Sequence, residues 1–156
     1  MIYTSSYKNC NTDKYNIYSI SGDRGKRVGY VGNYYSALAP KKDFWQTWHD
    51  NIGILSYDEN NRYYINEYFK QVLLNLDVEK VYSELDNSIL LCYENNADFC
   101  HRHIVSSWFE LLLDKKVKEI KIDDNKIIEL YRPDYIKYYL KLAINENKRL
   151  RKINKL

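Results

Sequence analysis

The chain is poor in the residues that build cross-linked or loop-rich scaffolds: its 156 residues include three cysteines, two prolines and five glycines. The cysteines, Cys10, Cys92 and Cys100, are too few and too odd in number for a secreted disulfide framework. No apolar run approaches membrane-spanning length, and MIYTSSYKN lacks a basic start followed by an apolar stretch. The expected location is therefore cytoplasmic, with no membrane partner. Linkers, internal repeats and low-complexity segments are also missing, so residues 1–156 are expected to form a single domain. What the chain has in quantity is tyrosine, 17 residues, within an aromatic share of 15%. Asn, Lys and Ile are abundant beside it, as an AT-rich coding sequence would produce, so the tyrosines carry no functional weight as a group. A hydrophobic share of 45% with 29% charged is ordinary for a folded domain and argues against disorder.

The net charge of +3 is unevenly spread. Residues 132–156 carry eight Lys or Arg against Asp134 and Glu146, a net of +6, which leaves −3 for the rest. A basic C-terminal helix on a mildly acidic body is one electrostatic footprint of nucleic acid. It is also what a solvated helix end looks like, where Lys and Arg complement the helix dipole.

IYTSS (2–6) and NIYSIS (16–21) are short β-branched and aromatic runs that read as strands. Residues 35–57 are mixed in character, with Pro40 and an aromatic cluster at Phe44, Trp45 and Trp48. NEYFKQVLLNL (66–76) has helical spacing, and Asp77 is placed to cap a second helix, VEKVYSEL. SILLCYE (88–94) is a continuous apolar run, as in a strand buried on both faces. Asp98 is then expected to cap a helix reaching about Leu113. VKEIKID alternates like a strand and can pair with KIIELY across Asp124-Asn125, and Pro133 opens the last helix. This alternation predicts a small single-domain α/β fold: a mainly parallel sheet flanked by helices, with a C-terminal basic helix.

The chemistry-bearing residues concentrate in LLCYENNADFCHRHIV (90–105). A strand ending at Cys92-Tyr93-Glu94 delivers them to the carboxyl edge of the sheet, where open α/β folds bind ligands. Cys100, His101 and Arg102 fall in the first turn of the next helix, where free N–H groups and the positive dipole end favour an anion or a thiolate. That setting, with Arg102, is expected to lower the Cys100 pKa. At about 100° per residue, His101 falls on the arc facing the sheet and Cys100 and Arg102 at its edges. His103 falls on the outer face with Ser106, Ser107 and Glu110. Cys92, Glu94, Cys100, His101 and Arg102 are thus the candidate catalytic residues. The bland readings beside them are a buried hydrophobic Cys92, a satisfied core His101, and a Glu94 that merely caps or pairs with Arg102.

Cys92, Cys100 and His101 are ligand types that zinc accepts, but the C-x7-C-H spacing matches no common structural-zinc pattern, and no metal site is assigned. The glycine loop SGDRGKRVGYVG follows a strand and could cradle a phosphate through Arg24, Lys26 or Arg27. It fits neither the P-loop pattern nor G-x-G-x-x-G, and a surface turn is its plain alternative. Thr4 and Ser5 complete the candidate ligand-binding residues.

YTSS, SIS with its glycine loop, YYSALAP (34–40), YYINEYFKQVLLNLD (63–77) and LLCYENNADFCHRHIVSSW (90–108) together resemble the bacterial family called domain of unknown function 488. The resemblance spans roughly residues 2–122, and L-L-C-Y-E followed by C-H-R is its most specific part. It implies a compact α/β core with Cys92, Glu94, Cys100, His101 and Arg102 at hallmark positions, and brings no agreed activity. Two features depart from the family. GDRGKRVGYVG stands where members carry prolines, and residues 123–156, a hairpin-like strand and basic helix, lie outside the resemblance.

Three functions follow from these residues. The first is an enzyme acting on a nucleotide, nucleic acid or related phosphorylated compound, with Arg102 holding the anion. Cys100 or Glu94 would then be nucleophile or general acid/base, and His101 would orient or relay protons. The second is a non-catalytic module binding a small anionic ligand or nucleic acid. The third is a thiol-redox or metal site using Cys92 and Cys100. No cofactor is specified by the sequence.

Overall fold

Five successive buried residues, Ser88–Cys92 (β4), form the centre of the sheet. Only a strand covered on both faces and paired on both edges can be apolar throughout. In the computed structural model, which describes residues 1–154, β4 pairs in parallel with β1 (Tyr3–Ser6) on one side and β2 (Asn16–Ser19) on the other. β3 (Asn33–Tyr34) extends β2, and β5 (Lys118–Asp123) extends β1. β6 (Lys126–Glu129) folds back antiparallel on β5, giving the order β3-β2-β4-β1-β5-β6. Asp124 and Asn125 both hold positive φ, as the tight turn between β5 and β6 requires. The α/β class and mainly parallel sheet are as expected.

The helices are α1 (Lys42–Asp50), α2 (Tyr57–Gln71), α3 (Val78–Leu85), α4 (His101–Leu113) and α5 (Tyr135–Asn154). They share one core with Ile2, Ile20, Leu90 and Val117 on a single face of the sheet. The reverse face carries a smaller cluster, Cys10, Ile89, Leu91 and Ile120, roofed by Tyr3, Tyr7, Tyr15 and Tyr30 and, among the described residues, by no α-helix. Helices therefore flank one face only. Several of the abundant tyrosines do the covering on the other. Among the described residues, no helix is long and apolar enough to cross a membrane.

Asp77 caps α3 as expected, accepting from the N–H groups of Glu79 and Lys80. α2 instead begins at Tyr57, well before Asn66, and ends at Gln71. Its polar first half buries amides that hydrophobic spacing cannot flag. Asn60 donates to the Trp48 carbonyl (2.8 Å), and Asn61 accepts from the Trp48 indole (3.0 Å).

α4 corrects a second expectation. His103, Ser106 and Ser107 are buried: His103 Nδ1 lies 4.0 Å from Glu119 of β5, and Arg132, just ahead of α5, donates to the Ser106 hydroxyl at 2.6 Å. A face that looked solvent-exposed on α4 alone is an interior interface. The same packing half-covers an ionic cluster at Glu110, which accepts from Arg132, Lys137 and the Val117 N–H. Burial pushes the Glu110 carboxyl up, but Val117, Arg132 and Lys137 outweigh it and hold it below the usual range. Its stabilising contribution is therefore full above the unfolded value of about 4.3 and is lost as pH falls through the lower folded value. Glu110→Gln is expected to cost about 1.5–3 kcal/mol at neutral pH. In urea titrations the gap from wild type should close progressively below about pH 4.3; a gap independent of pH would refute the assignment.

Candidate functional site

Because β1, β2 and β4 run in parallel, their carboxyl ends open on one edge. A cavity of about 660 Å³ opens there. Cys92 enters it from the end of β4, and Cys100 and His101 from the start of α4. All three are buried, and their sulfur and ring-nitrogen atoms lie within 4.8 Å of one another. Phe99, Tyr64 and Trp48 form an aromatic wall, with Phe99 5.7 Å from Trp48 and 5.1 Å from Tyr64 between ring centroids. The outer lining is exposed and of mixed charge: Arg27 from the glycine loop and Lys42, Trp45 and His49 from α1, with the carboxylates Asp23 and Glu94 beside them.

The geometry defines the protonation of His101. Its Nε2 lies 2.7 Å from the Ile20 carbonyl oxygen, which can only accept, so Nε2 carries the proton. The Nδ1 lone pair is left facing the Cys92 sulfur at 3.6 Å. Cys92 Sγ is also 3.7 Å from Glu94 Oε2. Burial pushes the His101 pKa down, but the contact with Cys100 and the Ile20 carbonyl outweigh it and raise it.

Cys100 departs from expectation in two ways. It is itself the N-cap residue, in an extended conformation, with α4 beginning at His101; Asp98 does not cap the helix. Burial and the neighbouring Cys92 raise its pKa well above the ordinary thiol value, outweighing the lowering by Arg102 and His101. A helix N-terminus and one cation do not offset full desolvation.

Arg102 does not reach the cavity. It is fully buried and grips Glu119 of β5, through Nη2 to Oε2 at 2.8 Å and Nε to Oε1 at 3.1 Å. Thr4 donates to the same carboxylate at 2.7 Å, and the Ser5 hydroxyl donates to the Ile120 carbonyl at 2.6 Å. Arg102, Thr4 and Ser5 are therefore ties between β1, β5 and α4, not parts of the Cys92–Glu94 cluster. The carboxylate that claims Arg102 is a strand residue in alternating VKEIKID, where a buried Glu119 has no local signal.

In the glycine loop, Asp23 occupies the place an anion would take. It accepts from the N–H groups of Gly25 (2.9 Å) and Arg27 (3.2 Å), from Ser21, and from the Tyr93 hydroxyl. Burial raises its pKa, but Tyr93 and the two backbone N–H groups prevail and lower it. The loop's donors are spent on its own carboxylate, so it is no phosphate cradle. Arg27 still lines the cavity, its guanidinium carbon over the Tyr93 ring at 4.2 Å from the centroid. Arg24 stacks on Tyr34 at 4.0 Å, and neither Arg24 nor Lys26 lines the cavity. Asp23, Lys42, Trp45, Trp48, His49, Tyr64 and Tyr93 are lining residues that the motifs missed. Pro40 followed by Trp45, Trp48 and His49 at helical spacing was a usable signal for α1 and its face.

An α/β protein with paired thiols and an imidazole at the carboxyl edge of its sheet is the class these features define. A family model described as the active DUF488-N3 subclade matches residues 8–112, from the loop after β1 to the end of α4. The chain belongs to the DUF488 family. No curated protein and no solved structure matches it.

Proposed function

We propose that the protein is an enzyme that uses Cys92 as a thiol nucleophile on a nucleotide or a related aromatic phosphorylated compound. One observation carries this reading: the Cys92 sulfur and the His101 Nδ1 lone pair face each other at 3.6 Å inside a ligand-sized cavity. A nucleophile, a base within reach, and a third group fixing the base's tautomer are the parts that covalent catalysis needs. The Ile20 carbonyl supplies the third. In the reaction, the Cys92 proton passes to His101 Nδ1 as sulfur bonds to the electrophilic centre. The leaving group departs with that proton from His101, and water then attacks the covalent intermediate through His101 as base, its proton returning to the Cys92 sulfur as the product leaves. Arg27 and Lys42 replace Arg102 as the groups holding the phosphate, and the Trp48–Tyr64–Phe99 wall suits a planar base.

The test is calorimetric and mass-spectrometric. Adenosine monophosphate is expected to bind, and ribose 5-phosphate and inorganic phosphate to bind more weakly. Arg27→Gln with Lys42→Gln should weaken binding by about tenfold or more, about 1.4 kcal/mol. A panel of nucleotides and a short oligonucleotide should then yield a converted product with wild type. Binding with no conversion across the panel would favour the non-catalytic module, and absence of both would remove the reading.

A further inference from the structure

We infer that Cys92, Cys100 and His101 form a binding site for a thiophilic divalent cation of the zinc type, and that its occupancy blocks the Cys92 thiol. The donor set is two soft sulfurs and one imidazole, the ligand types such a cation prefers over carboxylates alone. The three donor atoms already lie within 4.8 Å of one another without a cation to gather them. Zinc bonds of about 2.3 Å to sulfur and about 2.0 Å to nitrogen, at tetrahedral angles, separate the two donors by roughly 3.6 Å. The Cys92 Sγ to His101 Nδ1 distance is 3.6 Å.

A ligating histidine donates its remaining ring N–H to a carbonyl or carboxylate, which fixes the ring and aims the lone pair. His101 does this toward Ile20 at 2.7 Å. Two thiolates and a divalent cation also make a neutral unit, which a buried site tolerates far better than a free thiolate. All three donors line the cavity, so a cation held there would keep a fourth position toward it; Glu94 Oε2 lies 3.7 Å from Cys92 Sγ but outside the group of donors gathered within 4.8 Å. The block comes from coordination itself: a Cys92 sulfur bonded to the cation is withheld from an electrophile entering the cavity. The blocking role rests on the thiol mechanism above; the site itself does not.

The test uses reduced, chelator-treated full-length protein titrated with cobalt(II). Wild type is expected to develop thiolate-to-cobalt charge-transfer bands and tetrahedral visible bands, saturating at equimolar metal. Cys92→Ser and Cys100→Ser should each weaken or lose the charge-transfer bands while the thermal melt still shows a folded protein. Folded wild type with no such bands overturns the site. In parallel, iodoacetamide labelling of Cys92 is followed by mass spectrometry with and without zinc. Labelling that zinc suppresses is the expected result, and labelling indifferent to saturating zinc overturns the block. Cobalt binding by a protein whose metal-free Cys92 is inert would uphold the site and remove the thiol mechanism instead.

Discussion

Replacing Arg102 with methionine is expected to destabilise the fold by about 3–5 kcal/mol, the cost of leaving one charge of a buried pair without its partner. Glu119 is fully buried, and its remaining donor would be the Thr4 hydroxyl. His103, whose Nδ1 is 4.0 Å from Glu119, is a poor replacement: burial, the largest cause of its lowered pKa, and Arg132 both persist when the Arg102 charge is removed. The double variant Arg102→Met, Glu119→Gln removes both charges and should recover most of the loss, since it is the unpaired charge and not the missing ion pair that costs. Denaturant titration at neutral pH measures both variants. A single-variant loss below about 1 kcal/mol, the range of a solvated pair, would show that Arg102 does not hold α4 to β5 as described. If Arg102 instead held a substrate anion, the single variant would lose binding with little change in stability.

The sequence made much of this legible, and the reasons for the failures are specific. β4 was readable because a run buried on both faces has no polar position to confuse it. Cys92, Glu94, Cys100 and His101 were found because a strand end and a helix start must meet at the carboxyl edge, which is a topological rule and needs no long-range detail. Arg102 is misplaced by sequence reasoning because its partner is 17 residues away on β5, in a position buried by α4 and β1 and not by anything local to that strand. His103 was misread for the same reason: a helix covered on both sides has no solvent face, and one helix's periodicity cannot report a second layer. The glycine loop failed through its aspartate, since Asp23 satisfies the N–H groups that an incoming phosphate would need.

The two sulfurs near His101 are expected to behave differently toward an electrophile, and this decides which is the nucleophile. Cys92 Sγ touches both the His101 lone pair and the Glu94 carboxylate at the end of β4, so a base is at hand and the cavity lies in front of it. Cys100 sits at the helix cap, as buried as Cys92, and burial and Cys92 raise its pKa well above the ordinary thiol value. In metal-free wild type, iodoacetamide should therefore modify Cys92 first. Cys92→Ser should abolish that labelling and lower turnover on the order of 10⁴-fold or more, as removal of a covalent nucleophile does. His101→Gln should slow labelling by roughly 10²-fold by withdrawing the base while leaving the sulfur in place. Cys100→Ser should keep the Cys92 label. Labelling of Cys100 ahead of Cys92, or a His101→Gln variant as reactive as wild type, would break the pairing of sulfur and imidazole on which the mechanism depends. A loss confined to Cys92→Ser and His101→Gln would show that the two act as one unit.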